Sequence, residues 1–274
     1  MTQTSLSDPV RLTAAGPAAK NLEESAEAPR DKVWRLLRRV ALPAAILLAW
    51  QLVTSGGWVS GSSLPSPITV AVAWWEWIFG PRLALAWYSG TWLPYVLMSL
   101  ERVAAGFAIA SVTGIFLGVL IGWYSAVEDV FDGLINFLRA VPMTAWVPFA
   151  VFIFGIHESA AIFLIAFGSF FPIVVNVAAG ARQTPRILIR AALPAIFTGL
   201  RVGLGLAWVL VIVAEMLAVQ GGLGYALWSA YQFSRLDLIL AAIASVGGLG
   251  LGSDRLISLL AQRALRWQTG VTGR

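Results

Sequence analysis

Long hydrophobic runs recur from residue 40 to residue 260, each broken by a short polar or basic stretch. The runs at 103–123, 160–181 and 193–222 hold about 20 residues or more, the length a helix needs to cross a hydrocarbon core of about 30 Å. A soluble core needs no such lengths. The chain is therefore expected to be an all-α polytopic membrane protein. One transmembrane domain over 34–267 lies between a disordered tail at 1–33 and a short tail at 268–274. With 58% hydrophobic and only 12% charged residues in 274, little remains for a soluble domain beside it.

The net charge of +5 would suit nucleic acid, but the basic residues gather at the ends of apolar runs, where lipid headgroups hold them. The partner implied is a lipid bilayer, not nucleic acid. With no cysteine and one histidine, the chain offers neither thiolate ligands nor a histidine cluster, so no metal or other cofactor is expected. It also lacks a Gly-rich Lys-Ser phosphate loop and a histidine beside a plausible nucleophile, which argues against an enzyme.

Arg30, Lys32, Arg35, Arg38 and Arg39 precede the first run, placing the N-terminus in the cytoplasm by the bias of positive charge toward that side. Six spans follow, at about 40–53, 93–123, a third ending near 155, 160–181, 193–219 and 238–260, with both termini cytoplasmic. Trp74, Trp75, Trp77 and Trp87 mark an external interfacial segment between the first two. In the second span Gly114, Gly118 and Gly122 form a stripe that permits close helix packing. Pro142 and Pro148 interrupt the third, and a broken helix survives in lipid only where protein or water satisfies the freed backbone. Arg182, Arg186 and Arg190 mark the link between the fourth and fifth spans as cytoplasmic.

Ionisable groups within spans are costly and usually face a protein interior or a water path. The candidates are Glu101, Arg102, Arg201 and Glu215. Glu215 either lines a polar pathway or sits at the outer headgroup level. Arg102 and Arg201 read first as snorkelling groups or structural ion pairs. Arg201 and Glu215 lie about 21 Å apart along one helix at 1.5 Å per residue, so each needs another partner. No cluster of arginines at mid-membrane stands out to mark an internal anion site.

Several stretches resemble the inner-membrane permease subunits of binding-protein-dependent ABC importers, in the branch that serves aliphatic sulfonates, taurine and nitrate. The early ones are Leu64-Pro65-Ser66-Pro67, Ser99-Leu100-Glu101-Arg102-Val103, Arg139-Ala140-Val141-Pro142 and Trp146-Val147-Pro148. Leu193-Pro194-Ala195, Thr198-Gly199-Leu200-Arg201, Ala214-Glu215-Met216 and Gly221-Gly222-Leu223-Gly224-Tyr225 follow in the same order. The resemblance implies the type I importer permease fold and a second permease copy. It also implies an ABC ATPase subunit and a periplasmic or lipid-anchored solute-binding protein, in a bacterial inner membrane. It implies a pathway or gate at Glu101, Arg102, Pro142, Pro148, Arg201 and Glu215.

One departure stands out. The Glu-Ala-Ala…Gly loop that docks on the ATPase in such permeases is absent, and Gly180-Ala181-Arg182 runs almost directly into Leu193-Pro194. ATPase coupling would rest on Arg182, Arg186, Arg190, Leu193 and Pro194. The alternative is a membrane scaffold or an uncoupled permease remnant. Trp58, the Leu64–Pro67 stretch and Leu265-Arg266-Trp267 lean toward a sulfonate, with taurine and nitrate as the other expectations.

Overall fold

A computed structural model describes residues 38, 41–57, 64–81, 87–184 and 191–266 of the protein. The expected tails 1–33 and 268–274, with Trp58, Arg186, Arg190 and Trp267, lie outside these. Two compact units divide at residue 61. The first contributes one apolar helix, α1 (Ala41–Ser55), roughly 22 Å long at 1.5 Å per residue and so shorter than the hydrocarbon core.

The second unit contains the rest of the described chain. In order come α2 (Pro67–Phe79), α3 (Trp92–Trp123), α4 (Ser125–Ala140), a 3₁₀ turn (Met143–Trp146) and α5 (Val147–Phe154). They are followed by α6 (Glu158–Arg182), α7 (Leu193–Leu217), α8 (Leu223–Gln232) and α9 (Leu236–Ala264). No strand occurs among the described residues. In lipid a helix alone satisfies its own backbone, and the long runs obey that constraint.

Four helices, α3, α6, α7 and α9, are long and apolar enough to cross a membrane. A fifth passage is made by α4 together with the 3₁₀ turn and α5, bent by 92°. That pair crosses rather than doubling back. Ile135 of α4 packs with Ile121, Val174 and Ala178 near the C-terminal ends of α3 and α6. Val147 and Ala150 of α5 pack with Ala160 and Ala161 at the N-terminal end of α6. Among the described residues, up to five passages of the expected six therefore meet the length of a span, and α1 as described falls short of it.

Pro142 lies at the bend, as expected. Pro148 instead occupies the first turn of α5, where its missing N–H costs nothing, so it starts a helix rather than breaking one. Ser66 likewise caps α2, its hydroxyl accepting from the Thr69 N–H at 3.2 Å, with Pro67 in the first turn. The tryptophan-rich α2 buries Val70, Ala73 and Trp77 while leaving Trp75 exposed, so only one face is free for an interface.

The spine of the bundle is α3 against α6. A side chain at Gly106 would strike Ile165, one at Gly114 would strike Ile173, one at Gly118 would strike Val177, and one at Gly122 would strike Ala181. The offset is constant, so the helices run parallel and in step. The glycines let the backbones approach until the facing β-branched residues fill the groove. α7 returns antiparallel along α6, where Gly199 and Gly203 meet Ile173. Val103, Ile165, Leu204, Trp208, Val211 and Ile257 form the core that α3, α6, α7 and α9 share.

Candidate functional site

Two groups of charged residues are candidates, and they differ in burial. The first sits where α3, α6, α7 and the start of α8 meet. Arg102 is 2% exposed and Glu215 is fully buried. Arg102 Nη1 donates to Glu215 Oε1 at 2.8 Å and to the Gly221 carbonyl at 2.7 Å. Its Nε and Nη2 donate to both carboxylate oxygens of Glu158, the first residue of α6, whose side chain is 62% exposed.

The Glu215 carboxylate also caps a helix. Gly224 N–H donates to Oε2 at 2.7 Å in the first turn of α8, where the helix dipole favours negative charge. Ser99 Oγ donates to Oε1 at 2.7 Å and accepts from Leu223 N–H at 2.9 Å. Gly221 and Gly222 turn with φ of 89° and 106°, and a Cβ on Gly222 would collide with the Glu215 carboxylate. Each polar side-chain atom has a partner, so the cluster ties four helices and a turn into one rigid corner.

The second group lies on α7 and α9. Arg201 Nε and Nη2 donate to Asp254 Oδ1 and Oδ2 at 2.7 and 2.8 Å, a fork that fixes the guanidinium plane. The two side chains are 48% and 39% exposed. Arg255, the next residue on α9, is exposed and forms no ion pair among the described residues. Thr198, Arg201, Val202 and Asp254 line a pocket of about 310 Å³.

The position of this second group is informative. Arg201 is eight residues into α7, roughly 12 Å from its start, and Asp254 is ten residues from the end of α9, roughly 15 Å. Both helices are long enough to cross a membrane, and the pair lies in the half of each that is nearer the link between α6 and α7.

The candidate residues taken from the sequence thus separate. Arg102 and Glu215 meet in the closed corner, although 113 positions divide them in the chain. Glu101 is exposed on α3, and Pro142 and Pro148 are exposed at the bend and at the start of α5. Arg182 pairs with Glu128 at 2.7 Å at the opposite end of the bundle. Leu193 and Pro194 begin α7. Arg201 and Asp254, 53 positions apart, are brought together by the antiparallel packing of α7 on α9. The adjacent Asp254-Arg255 in the middle of an apolar run was the available signal.

Beyond the helix ends, Arg235 bridges Asp237 and Tyr88, whose hydroxyl donates to Glu76 at 2.9 Å. The Asp237 carboxylate raises the Arg235 guanidinium above its ordinary value, and burial pushes the Tyr88 phenol up. An apolar pocket of about 350 Å³ opens between α3, α4 and α6, walled by Phe131, Leu134, Phe163 and Phe167. It carries no charged group.

Comparison with known proteins follows from this geometry. The family described as the binding-protein-dependent transport system inner membrane component matches residues 110–192 and again 186–266. The chain is 36% identical to a nitrate import permease protein of Synechocystis sp., over 82% of this chain and 88% of that one. It is 31% identical to a putative aliphatic sulfonates transport permease protein of Bacillus subtilis, over 96% and 100%. It is 35% identical to a bicarbonate transport system permease protein of Synechocystis sp., over 85% and 91%.

Proposed function

The chain belongs to the family of binding-protein-dependent transport system inner membrane components, and on that premise we propose that it carries a small oxyanion. It is a multi-pass inner-membrane permease subunit of an ABC importer. The observation behind the finer reading is what the three relatives share. Nitrate, aliphatic sulfonates and bicarbonate are different solutes, but all are small oxyanions of low charge. An aliphatic sulfonate, taurine or nitrate fits that class.

In this reading two permease copies form the pathway and an ATPase docks where Arg182 and the start of α7 lie. A solute-binding protein then delivers solute at the Arg102 end. Both termini are cytoplasmic. Glu101, Pro142 and Pro148 belong to the wall of the pathway and Arg201 to its interior, while Arg102 and Glu215 hold the corner that shapes its outer end. Alternation between two states follows from differential binding of ATPase and binding protein to each.

We also infer a shortened ATPase-coupling link. Ten residues separate α6 from α7, and a side chain on Gly180 would collide with Ala195, so the helix ends are already packed. Two sequence observations support the reading. The family match falls in two pieces that overlap at 186–192. The alignments run over 245 and 284 residues, whereas 82% and 96% of this 274-residue chain are about 225 and about 263 residues. Arg182, Leu193, Pro194 and, outside the described residues, Arg186 and Arg190 would then carry what coupling there is.

Affinity purification from native membranes tests both proposals, with peptide mass spectrometry across residues 177–199. An ATPase and a solute-binding protein are expected to co-purify with a chain whose link is as short as its sequence. Recovery of neither partner would contradict the importer reading, and a longer peptide would remove the short link.

A further inference from the structure

We propose that the groove where α4 packs on α3 and α6 holds a membrane phospholipid whose headgroup carries a phosphate and a primary ammonium. Two cavities share a wall at Ile135 of α4. The apolar one, about 350 Å³, lies along α3 from Ile109 to Leu117 and along α6 from Phe163 to Phe171. The other, about 250 Å³, lies nearer the C-terminal ends of the same two helices, against Ile121 and Arg182, and Asp132, Asn136 and Arg139 of α4 also line it. Both helices are long and apolar enough to cross a membrane, and Arg182 is the last residue of α6. Polarity therefore rises in the direction in which the two spans end, as it does along a lipid from tail to head. Ile135 is the one buried residue of α4, so protein alone leaves the space beside this helix unfilled.

Charge selects the headgroup. The Arg139 guanidinium is exposed and has no ion pair or hydrogen bond among the described residues, while Arg182 on the facing helix gives Nη2 to Glu128 at 2.7 Å. Planar guanidinium donors suit the oxygens of a phosphate. Asp132 accepts the Asn136 amide on Oδ2 at 3.0 Å, and its Oδ1 has no hydrogen-bond partner among the described residues. With Glu128 counted, two guanidiniums and two carboxylates cancel. A singly charged anionic headgroup thus meets no excess of positive charge, whereas a zwitterion is matched at both poles. A primary ammonium donates to Asp132, which a quaternary one cannot do. The acyl chain goes to the cavity walled mainly by phenylalanine and aliphatic side chains, where it leaves water at no polar cost.

The test uses delipidated full-length protein in detergent, titrated with dioleoyl phosphatidylethanolamine, phosphatidylcholine or phosphatidylglycerol and read by native mass spectrometry. The ethanolamine lipid is expected to bind about tenfold more tightly than the other two, the worth of one charge-assisted hydrogen bond. Asp132→Asn should bring it level with the choline lipid, and Arg139→Gln should weaken both. Glycerophosphoethanolamine, the same headgroup without tails, should not bind at the lipid's concentrations. Both substituted residues are exposed, so the melting temperature of each variant should be unchanged. Equal binding of the three lipids, tighter binding of the glycerol lipid, or binding of the headgroup alone overturns the site.

A second arm asks whether another permease copy covers the groove instead. The chain has no cysteine, so Leu134→Cys places a single thiol on the wall of the apolar cavity. The ethanolamine lipid should slow its reaction with an apolar maleimide. Rapid disulfide formation between copies, unaffected by the lipid, overturns the site.

Discussion

Arg102 and Arg201 sit on helices of one bundle and each grips a carboxylate through two nitrogens or more, yet their surroundings are opposite. Arg102 and Glu215 are buried among α3, α6, α7 and α8, and each of their side-chain nitrogens and oxygens has a hydrogen-bond partner. Arg201 and Asp254 stand half open to their surroundings, with the exposed Arg255 next in sequence. A buried ion pair whose polar atoms are all satisfied gives a unique packing and has no capacity left for a ligand. An open pair, with both groups still accessible, keeps that capacity.

The contrast breaks first at Arg102. Arg102→Met leaves Glu215 buried and unpaired, and a loss of about 3–5 kcal/mol is expected, read as a collapse of the thermal transition in detergent. Next is the glycine spine that holds the corner in register. Gly118→Leu forces a side chain against Val177 and the Val174 carbonyl, for a loss of about 1–3 kcal/mol in the same assay.

Glu158→Gln removes the exposed half of the Arg102 bridge. Because solvent screens that side, the expected loss is below about 1 kcal/mol, and a larger loss would mean the outer arm matters as much as the inner one. Smallest on stability is Arg201→Gln, expected to leave the melting temperature unchanged while uptake per folded permease drops at least tenfold.

Much of this was legible in the sequence. The long helices α3, α6, α7 and α9 begin and end within a few residues of the hydrophobic runs, because the bilayer sets their length and the runs have no other use. The stripe of Gly114, Gly118 and Gly122 announced a close helix contact, though not that α6 would be the partner. Pro142 announced the bend but not its 92° angle, which packing against α6 sets.

What stayed hidden depends on contacts far apart in sequence. Arg102 and Glu215 each looked like a lone membrane charge, and only the packing of α3 on α7 shows that each is the partner the other lacked. α8 gave no signal as a separate helix, since its ten residues are too short to show a period and its cap comes from Glu215 on α7. The Asp254-Arg255 pair was overshadowed by the apolar run around it, although an acid and a base side by side in a span deserve the same weight as Glu101-Arg102.

The most direct measurement compares Arg102→Met with Arg201→Gln in the complete importer, following melting temperature and nitrate or methanesulfonate uptake per folded permease. The account predicts a crossed result, with Arg102→Met losing folded protein and Arg201→Gln folding normally but failing to transport. Normal uptake by folded Arg201→Gln, or an equal loss of stability in both variants, would contradict it.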